Sequence, residues 1–222
     1  MKYSNLHSPT EHRRRRSKWL RRAAILTLCA FLWSVLGFQG RCAGIRKEVL
    51  RLHVIAHSDS ESDQQAKIYV RDRLLRVGAD LFGGSIDAMS AEAEITPRIA
   101  ELEVCARAAL RELNLDYPVR VTVGEEYFNT RTYEEAGVTL PAGRYRAVCV
   151  ILGEGSGRNW WCVMFPPLCL PAARPRGAVS LDAVLTNGQL RVVKSNPKYE
   201  IRFKIVELWE ALKERFDKSA KQ

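Results

Sequence analysis

The sequence lacks several signatures that would assign it to a common class at once. Its six cysteines include no Cys-x-x-Cys pair, so a zinc ribbon is not supported. It contains no internal repeat and no low-complexity tract. Apolar residues make up 46% of the chain and charged residues 27%, both ordinary for a globular protein. A body of this size buries a sizeable core without metal or disulfide support.

The chain carries a net charge of +10, but its body has little excess of either sign. Residues 1–22 hold eight basic side chains and one acidic one, Glu11, and thus account for +7 of the total. The remaining residues carry 27 basic and 24 acidic side chains. A nearly neutral body offers no basic stripe for phosphate groups, so nucleic acid is not an expected partner.

An uncharged segment follows the basic N-terminus. Residues 23–38 are sixteen residues without a charge, which is long for a signal-peptide core but short of the roughly 20 residues that span a bilayer. The basic run should stay in the cytoplasm, so the body is exported. Cleavage after Ala43 or Gly40 would put Arg41 or Phe38 where a small residue is needed. Residues 1–44 are therefore a signal peptide or an anchor through residues 19–39; a buried core helix is the weaker alternative.

Residues 45–217 are predicted to form one α+β domain, with a tail at residues 218–222. The expected architecture is a mostly antiparallel sheet packed with two or three helices. Alternating apolar residues predict strands, and apolar residues at helical spacing predict helices. The strands are expected at 48–56, 119–123, 144–152 and 159–165, and the helices at 63–81, 91–113 and 199–217.

A glycine-rich segment, residues 153–157, separates two of the predicted strands. We interpret residues 144–165 as a β-hairpin closed by this loop. A phosphate-binding loop is disfavoured, because a strand follows the glycines and no Lys-Ser/Thr pair ends them. Residues 189–193 suggest one further short strand.

Two histidines lie four residues apart at the end of the first predicted strand. His53 and His57, with Asp59, are the metal ligands of an alternative hypothesis, a metal-dependent hydrolase of the cell envelope. The simpler interpretation is a strand followed by a helix cap, in which Ser60 caps a helix with Asp63 in its first turn. The spacing also lacks the helical geometry and the general-base glutamate of known zinc motifs. We therefore expect no metal and no cofactor.

The run from Asn159 to Cys169 combines adjacent tryptophans with two prolines. Trp160 and Trp161 face opposite sides of the predicted strand, so one is exposed unless a helix covers it. Exposed aromatic rings beside prolines are typical of a binding surface. Outside the cytoplasm, Cys162 and Cys169 can form a disulfide that fixes the turn. A cysteine nucleophile paired with a histidine is disfavoured, because nothing in the sequence brings the two together.

Three runs in this chain resemble stage II sporulation protein R: residues 50–75, 140–147 and 153–170. The resemblance is in order and covers roughly residues 45–215. It implies a protein made in the forespore of an endospore-forming bacterium and exported into the space between the two membranes that separate forespore and mother cell. There it would trigger a membrane protease of the aspartic type that cleaves the precursor of sigma-E. The resemblance implies a signal and not an enzyme.

Two groups of site residues follow for a binding protein. The expected contact patch is Asn159, Trp160, Trp161, Phe165, Pro166 and Pro167. The second group, with a binding or structural role, is His53, Ser58, Asp59, Asp63, Arg71 and Asp72. The family usually has Asn at His57 and Pro at Asn129, so the resemblance implies no detailed role for these two positions. A structural envelope protein anchored by residues 19–39 is a further hypothesis.

Overall fold

The structure, a computed structural model, describes residues 9–81, 85–168, 179–194 and 200–219. The chain separates into two units, residues 1–40 and residues 41–222. Helix α1 spans Pro9–Lys47. Its part Lys18–Lys47 is long and apolar enough to cross a membrane. The N-terminus therefore carries a helix of the kind that serves as a signal sequence or a membrane anchor.

A four-stranded sheet forms the centre of the second unit. Its order is β2-β5-β1-β6, with β1 parallel to β5 and the other two pairings antiparallel. A two-stranded antiparallel ribbon of β3 and β4 lies outside this sheet. The strands are β1 Leu50–Ile55, β2 Val119–Phe128, β3 Arg131–Tyr133, β4 Val138–Leu140, β5 Gly143–Leu152 and β6 Asn159–Phe165. The sheet is mixed but mostly antiparallel, and the α+β prediction is confirmed.

Six helices follow α1 in the described residues. The helices are α2 Glu61–Leu81, α3 Ala88–Ile95, α4 Ile99–Glu112, α5 Leu181–Val184, α6 Asn187–Val193 and α7 Glu200–Ser219. The start of α2 follows the predicted cap, because the Ser60 hydroxyl accepts a hydrogen bond from the Asp63 amide at 3.2 Å. The predicted helix 91–113 is two helices, since a 3₁₀ turn at Thr96–Arg98 with Pro97 near its start separates α3 from α4.

One face of the sheet packs against α2, α3 and α4. Alternate residues of β1, Leu50, Leu52 and Val54, point into this core, as period-2 alternation requires. They meet buried side chains at helical spacing, such as Val70 and Leu74 of α2. The hydrophobic core thus lies between the sheet and these three helices, and the opposite face of β1 presents Arg51 and His53.

The opposite face of the sheet is also covered. The ribbon lies over it, and its residues Val138 and Leu140 are buried. Val138 pairs with Lys194, which ties the ribbon to α6. Arg46 donates a hydrogen bond to the Ala142 carbonyl at 2.9 Å and forms an ion pair with Glu210 of α7 at 3.5 Å. Arg51 and His53 therefore lie in a second enclosed layer and not on a solvated face.

The glycine loop does not close a hairpin, so that prediction is wrong. β1 lies between β5 and β6, and the loop crosses over the end of β1. The Gly157 amide donates to the Ala56 carbonyl at 3.0 Å, and the Ser156 amide to the His57 carbonyl at 3.2 Å. The crossing requires close approach, because a Cβ on Gly157 would lie 2.2 Å from the Ser58 carbonyl oxygen.

The short strand predicted at 189–193 is also wrong. These residues belong to helix α6, which begins with a capping box. The Thr186 hydroxyl accepts from the Gln189 amide, and the Gln189 side chain accepts from the Thr186 amide at 2.7 Å. The capping box starts a helix here, and residues 189–193 are too few for the alternation of apolar residues to distinguish a strand from a helix.

Replacing Gly157 with Ala should destabilise the fold, because the new methyl group meets backbone and not a movable side chain. We expect the free energy of unfolding to fall by about 1–3 kcal/mol. The matched control is Gly124→Ala in β2, where a Cβ meets nothing within 4 Å. Urea denaturation of the detergent-solubilised chain measures both, and equal stability of the two variants would contradict the crossing geometry.

Candidate functional site

Arg51 is fully buried at the centre of the sheet. Its Nε donates to the Cys162 carbonyl at 2.9 Å, and one terminal nitrogen donates to the Tyr133 hydroxyl at 2.7 Å. The guanidinium carbon lies 4.2 Å from the ring centre of Phe128 and 4.9 Å from that of Tyr145. Cation–π contacts and hydrogen bonds thus replace water around this charge. The other terminal nitrogen, Nη1, has no hydrogen-bond partner within the described part of the chain.

His53 lies next to Arg51 on the same face of β1 and exposes 7% of its surface. Its Nδ1 lies 2.6 Å from Glu126 Oε2 and 3.8 Å from the Cys149 sulfur. Its Nε2 lies 2.9 Å from Asn159 Oδ1. The Trp161 ring stacks on the imidazole with 3.9 Å between centres and 15° between planes. We call His53, Glu126 and Cys149 the His53 cluster.

The protonation of the His53 cluster limits its chemistry. Burial opposes ionisation of Glu126, but hydrogen bonds from His53 and Cys149 outweigh it, and the pKa of this carboxyl lies below its ordinary value. Burial, together with the Glu126 carboxylate, raises the pKa of the Cys149 thiol to about 12. A thiol that stays protonated at neutral pH is a poor nucleophile, so cysteine catalysis is not supported here.

Strand β6 forms one edge of the sheet among the described residues. Trp160 exposes 36% of its surface there, and the Arg71 guanidinium of α2 lies 4.5 Å from its ring centre. Asp72 accepts a hydrogen bond from Arg71 Nε at 2.6 Å. Asn159 is exposed at the start of the strand. We call Asn159, Trp160, Arg71 and Asp72 the β6 edge; it joins two segments that are almost ninety residues apart in sequence.

The end of β1 carries a second polar network. Asp63 accepts hydrogen bonds from the Ser58 hydroxyl at 2.5 Å and the Tyr117 hydroxyl at 2.8 Å. The His57 ring stacks on Tyr117 at 4.2 Å, and its Nδ1 accepts from the Glu154 amide. These contacts fix the junction between β1, α2 and the glycine loop.

The alternative metal set of His53, His57 and Asp59 does not converge. His57 lies against Tyr117, while Asp59 accepts from the Arg158 amide at 2.7 Å. Within the described ranges, the one group of three or more ligand-type side chains close enough for an ion is the His53 cluster. A hydrolase built on those three residues is therefore excluded by their placement.

Comparison with known proteins gives one family. The model of the family described as stage II sporulation protein R matches residues 46–174. This chain belongs to that family. Stage II sporulation protein R of Bacillus subtilis (strain 168) is 32% identical over 125 residues, which are 56% of this chain and 55% of that protein. The chain thus matches about half the length of this curated relative, and no solved structure matches it.

The match to stage II sporulation protein R contains the His53 cluster, the β6 edge and the glycine loop. It ends before α5, α6 and α7 and is shorter than the predicted extent of residues 45–215. The two predicted groups of site residues meet in the fold. Trp160 contacts Arg71, and His53 contacts both Trp161 and Asn159.

The predicted contact patch is not continuous at the surface, because two of its members are buried. Phe165 exposes 1% of its surface, and Pro166 is also buried. Phe165 is the last residue of β6 and Pro166 follows it directly, so a contact of these two residues with a partner stays a prediction. Pro167 is half-buried and lies away from the exposed start of the strand. Cys162 is buried and disulfide-bonded; Cys169 lies outside the described residues, so their pairing stays a prediction.

Sequence reasoning missed Glu126, Cys149 and the cage around Arg51. Strand pairing places Cys149 of β5 beside His53, whereas Glu126 of β2 pairs with Tyr145 and reaches His53 through its side chain. Cys149 is the direct neighbour of His53 in the parallel pairing of β1 with β5. A charged residue within the alternating pattern of a predicted strand was the available signal for Arg51, whereas Glu126 lies beyond the strand predicted at 119–123.

Asp63→Asn should destabilise the protein in a pH-dependent way. Burial opposes ionisation, but hydrogen bonds from Ser58, Tyr117 and Ser60 place the pKa of this carboxyl below its ordinary value of 3.8. A carboxyl whose pKa is lowered in the folded state stabilises the protein at pH values above its ordinary pKa. This contribution disappears as the pH falls through the folded-state pKa. We expect a loss of about 1–3 kcal/mol at neutral pH that shrinks in acid. Urea denaturation across pH measures it, and the exposed Asp116→Asn is the control.

Arg51→Lys should be more damaging than a conservative change suggests. Lysine lacks the planar group that stacks on Phe128 and Tyr145, and it cannot reproduce both directed hydrogen bonds. We expect a loss of about 2–4 kcal/mol in unfolding free energy, because a buried charge loses partners. Arg120→Lys, on an exposed position of β2, should change stability by under about 0.5 kcal/mol. Similar losses in both variants would show that the cage does not matter.

Proposed function

We propose that this protein is an exported signalling protein that activates a membrane-embedded protease of the aspartic type. Its site of action is the space between the forespore and mother-cell membranes, and its effect is maturation of the sigma-E precursor. Membership of the sporulation family supports the process. The apolar helix Lys18–Lys47 supports export or anchoring at the membrane.

The observation that carries the proposal is the β6 edge. Trp160 is a large aromatic side chain held at the surface by a guanidinium that is itself fixed by a neighbouring carboxylate. Tryptophan and arginine are the residue types that dominate binding energy at protein interfaces. An edge strand also offers backbone groups to a partner. Members of both predicted groups of site residues meet at this point.

The protein acts by binding and not by catalysis. The chemistry expected of a hydrolase fails on geometry, because His57 and Asp59 lie away from His53. The buried thiol nearest to His53 is protonated at neutral pH. A ligand activates a receptor by binding its active state more tightly than its inactive state, and activation then grows with that difference. The β6 edge is the surface that would bind the active state of the protease more tightly than the inactive state.

Co-expression in a non-sporulating host tests both the function and the surface. The host makes the protease, the sigma-E precursor and this chain with its own N-terminus. We expect cleaved precursor only when the chain is exported. Trp160→Ala should reduce cleavage by roughly thirtyfold, the equivalent of about 2 kcal/mol for a central interface tryptophan.

The matched control is Trp209→Ala on α7. Trp209 is also exposed, at 51%, and also has a cation over its ring, from Lys213 at 5.6 Å. It lies outside the residues that match the family. A Trp160→Ala variant that is exported, resists digestion by an added protease as a folded protein does, and keeps full activity would disprove the role of the β6 edge in binding. Absence of cleavage with the exported wild-type chain would disprove the function itself.

A further inference from the structure

Three metal-binding side chains from three different strands converge in the His53 cluster. His53 comes from β1, Glu126 from β2 and Cys149 from β5, and their ligand atoms all lie within 4.8 Å of one another. Glu126 must reach across β5 to approach His53, because β5 lies between β2 and β1. The hydrogen-bonded pairs of the sheet alone do not require this convergence, so it is a specific feature of the side chains.

The separations suit a tetrahedral ion with nitrogen, oxygen and sulfur ligands. Zinc bonds of about 2.0–2.3 Å place neighbouring ligand atoms about 3.3–3.6 Å apart. The Cys149 sulfur lies 3.8 Å from His53 Nδ1, close to this range. Nδ1 and Glu126 Oε2 lie 2.6 Å apart and would open by roughly 0.7 Å to admit an ion. A carboxylate side chain makes this movement easily, and Glu126 is 29% exposed.

The surroundings of His53 favour ligation through Nδ1. Asn159 Oδ1 lies 2.9 Å from Nε2 and can accept a hydrogen bond from its N–H, so Nδ1 is the ring nitrogen that faces the carboxylate and the thiol. Two acceptors at 2.6 Å need a cation between them, either a proton or a metal ion. The stacked Trp161 ring fixes the plane of the imidazole. A ligating histidine held by an outer hydrogen bond is the usual arrangement of a metal site.

We propose that His53, Glu126 and Cys149 bind a zinc ion. The ligand mixture is the one that zinc accepts, with borderline-soft character between oxygen and thiolate. Binding replaces the proton between His53 and Glu126 and the proton of the Cys149 thiol, and both leave to solvent. Glu126 is partly exposed, so the fourth position is open to water or to a group from a partner. The zinc proposal does not rest on the proposed signalling function.

Cobalt substitution of the full chain in detergent tests the proposal. The chelator-treated protein is titrated with Co²⁺ under nitrogen and without added thiol, so that the disulfide at Cys162 stays intact. We expect a thiolate-to-cobalt charge-transfer band that saturates at one equivalent and disappears on addition of Zn²⁺. Cys149→Ser should abolish the band, and Glu126→Gln should weaken Zn²⁺ affinity at least tenfold. Cys105→Ser, a half-buried thiol outside the cluster, should leave both unchanged.

Two results would overturn the zinc site. One is a wild-type chain that shows no band at stoichiometric Co²⁺ and no rise in Tm with Zn²⁺. The cluster would then be a hydrogen-bonded His53–Glu126 pair that binds no metal. The other is a band that persists in Cys149→Ser, which would place the thiolate ligand elsewhere. If Cys149→Ser does not fold, the wild-type titration and the loss of the Zn²⁺-dependent Tm rise in Glu126→Gln decide the question.

Discussion

The burial of Arg51 is the constraint on which the second layer of this protein depends. A guanidinium with no exposed surface needs hydrogen-bond acceptors and aromatic ring faces inside the protein to replace water. Arg51 finds them on β6 through the Cys162 carbonyl and on the ribbon through the Tyr133 hydroxyl. The rings of Phe128 and Tyr145 supply its faces. One side chain thus fixes four neighbouring strands, and the ribbon is required to close over the sheet.

Local features of the fold could be predicted from sequence, because neighbours along the chain determine them. Apolar residues alternate along β1 and recur at helical spacing along α2 and α7, and each pattern marks the face that packs against a core. The hairpin failed for a different reason. The partners of the glycine loop are residues 56–58, about a hundred residues earlier, and no local pattern reports them. Consecutive strands usually pair, but here β1 occupies the position between them.

The candidate site divides in the same way. Trp160 and Arg71 could be chosen as site residues individually, but their contact depends on how α2 packs beside β6. Phe165 and Pro166 belong to the same sequence run as Trp160, yet both are buried while Trp160 is exposed. Glu126 and Cys149 gave no motif at all, because their meeting with His53 needs the register of three strands. Individual candidate residues could therefore be chosen from the sequence, but which of them lie together could not.

The buried cluster and the exposed edge are mechanically connected. Asn159 holds His53 from the start of β6, and Trp161 stacks on the same imidazole, while Trp160 between them faces α2. Three consecutive residues of an edge strand are thus fixed from two sides, by a buried imidazole and by a surface guanidinium. Because Asn159 and Trp161 hold the imidazole, Glu126 is the member of the His53–Glu126 pair with freedom to move. The surface proposed to contact the partner and the His53 cluster therefore share residues 159–161 of β6, and the packing of the cluster positions the exposed tryptophan.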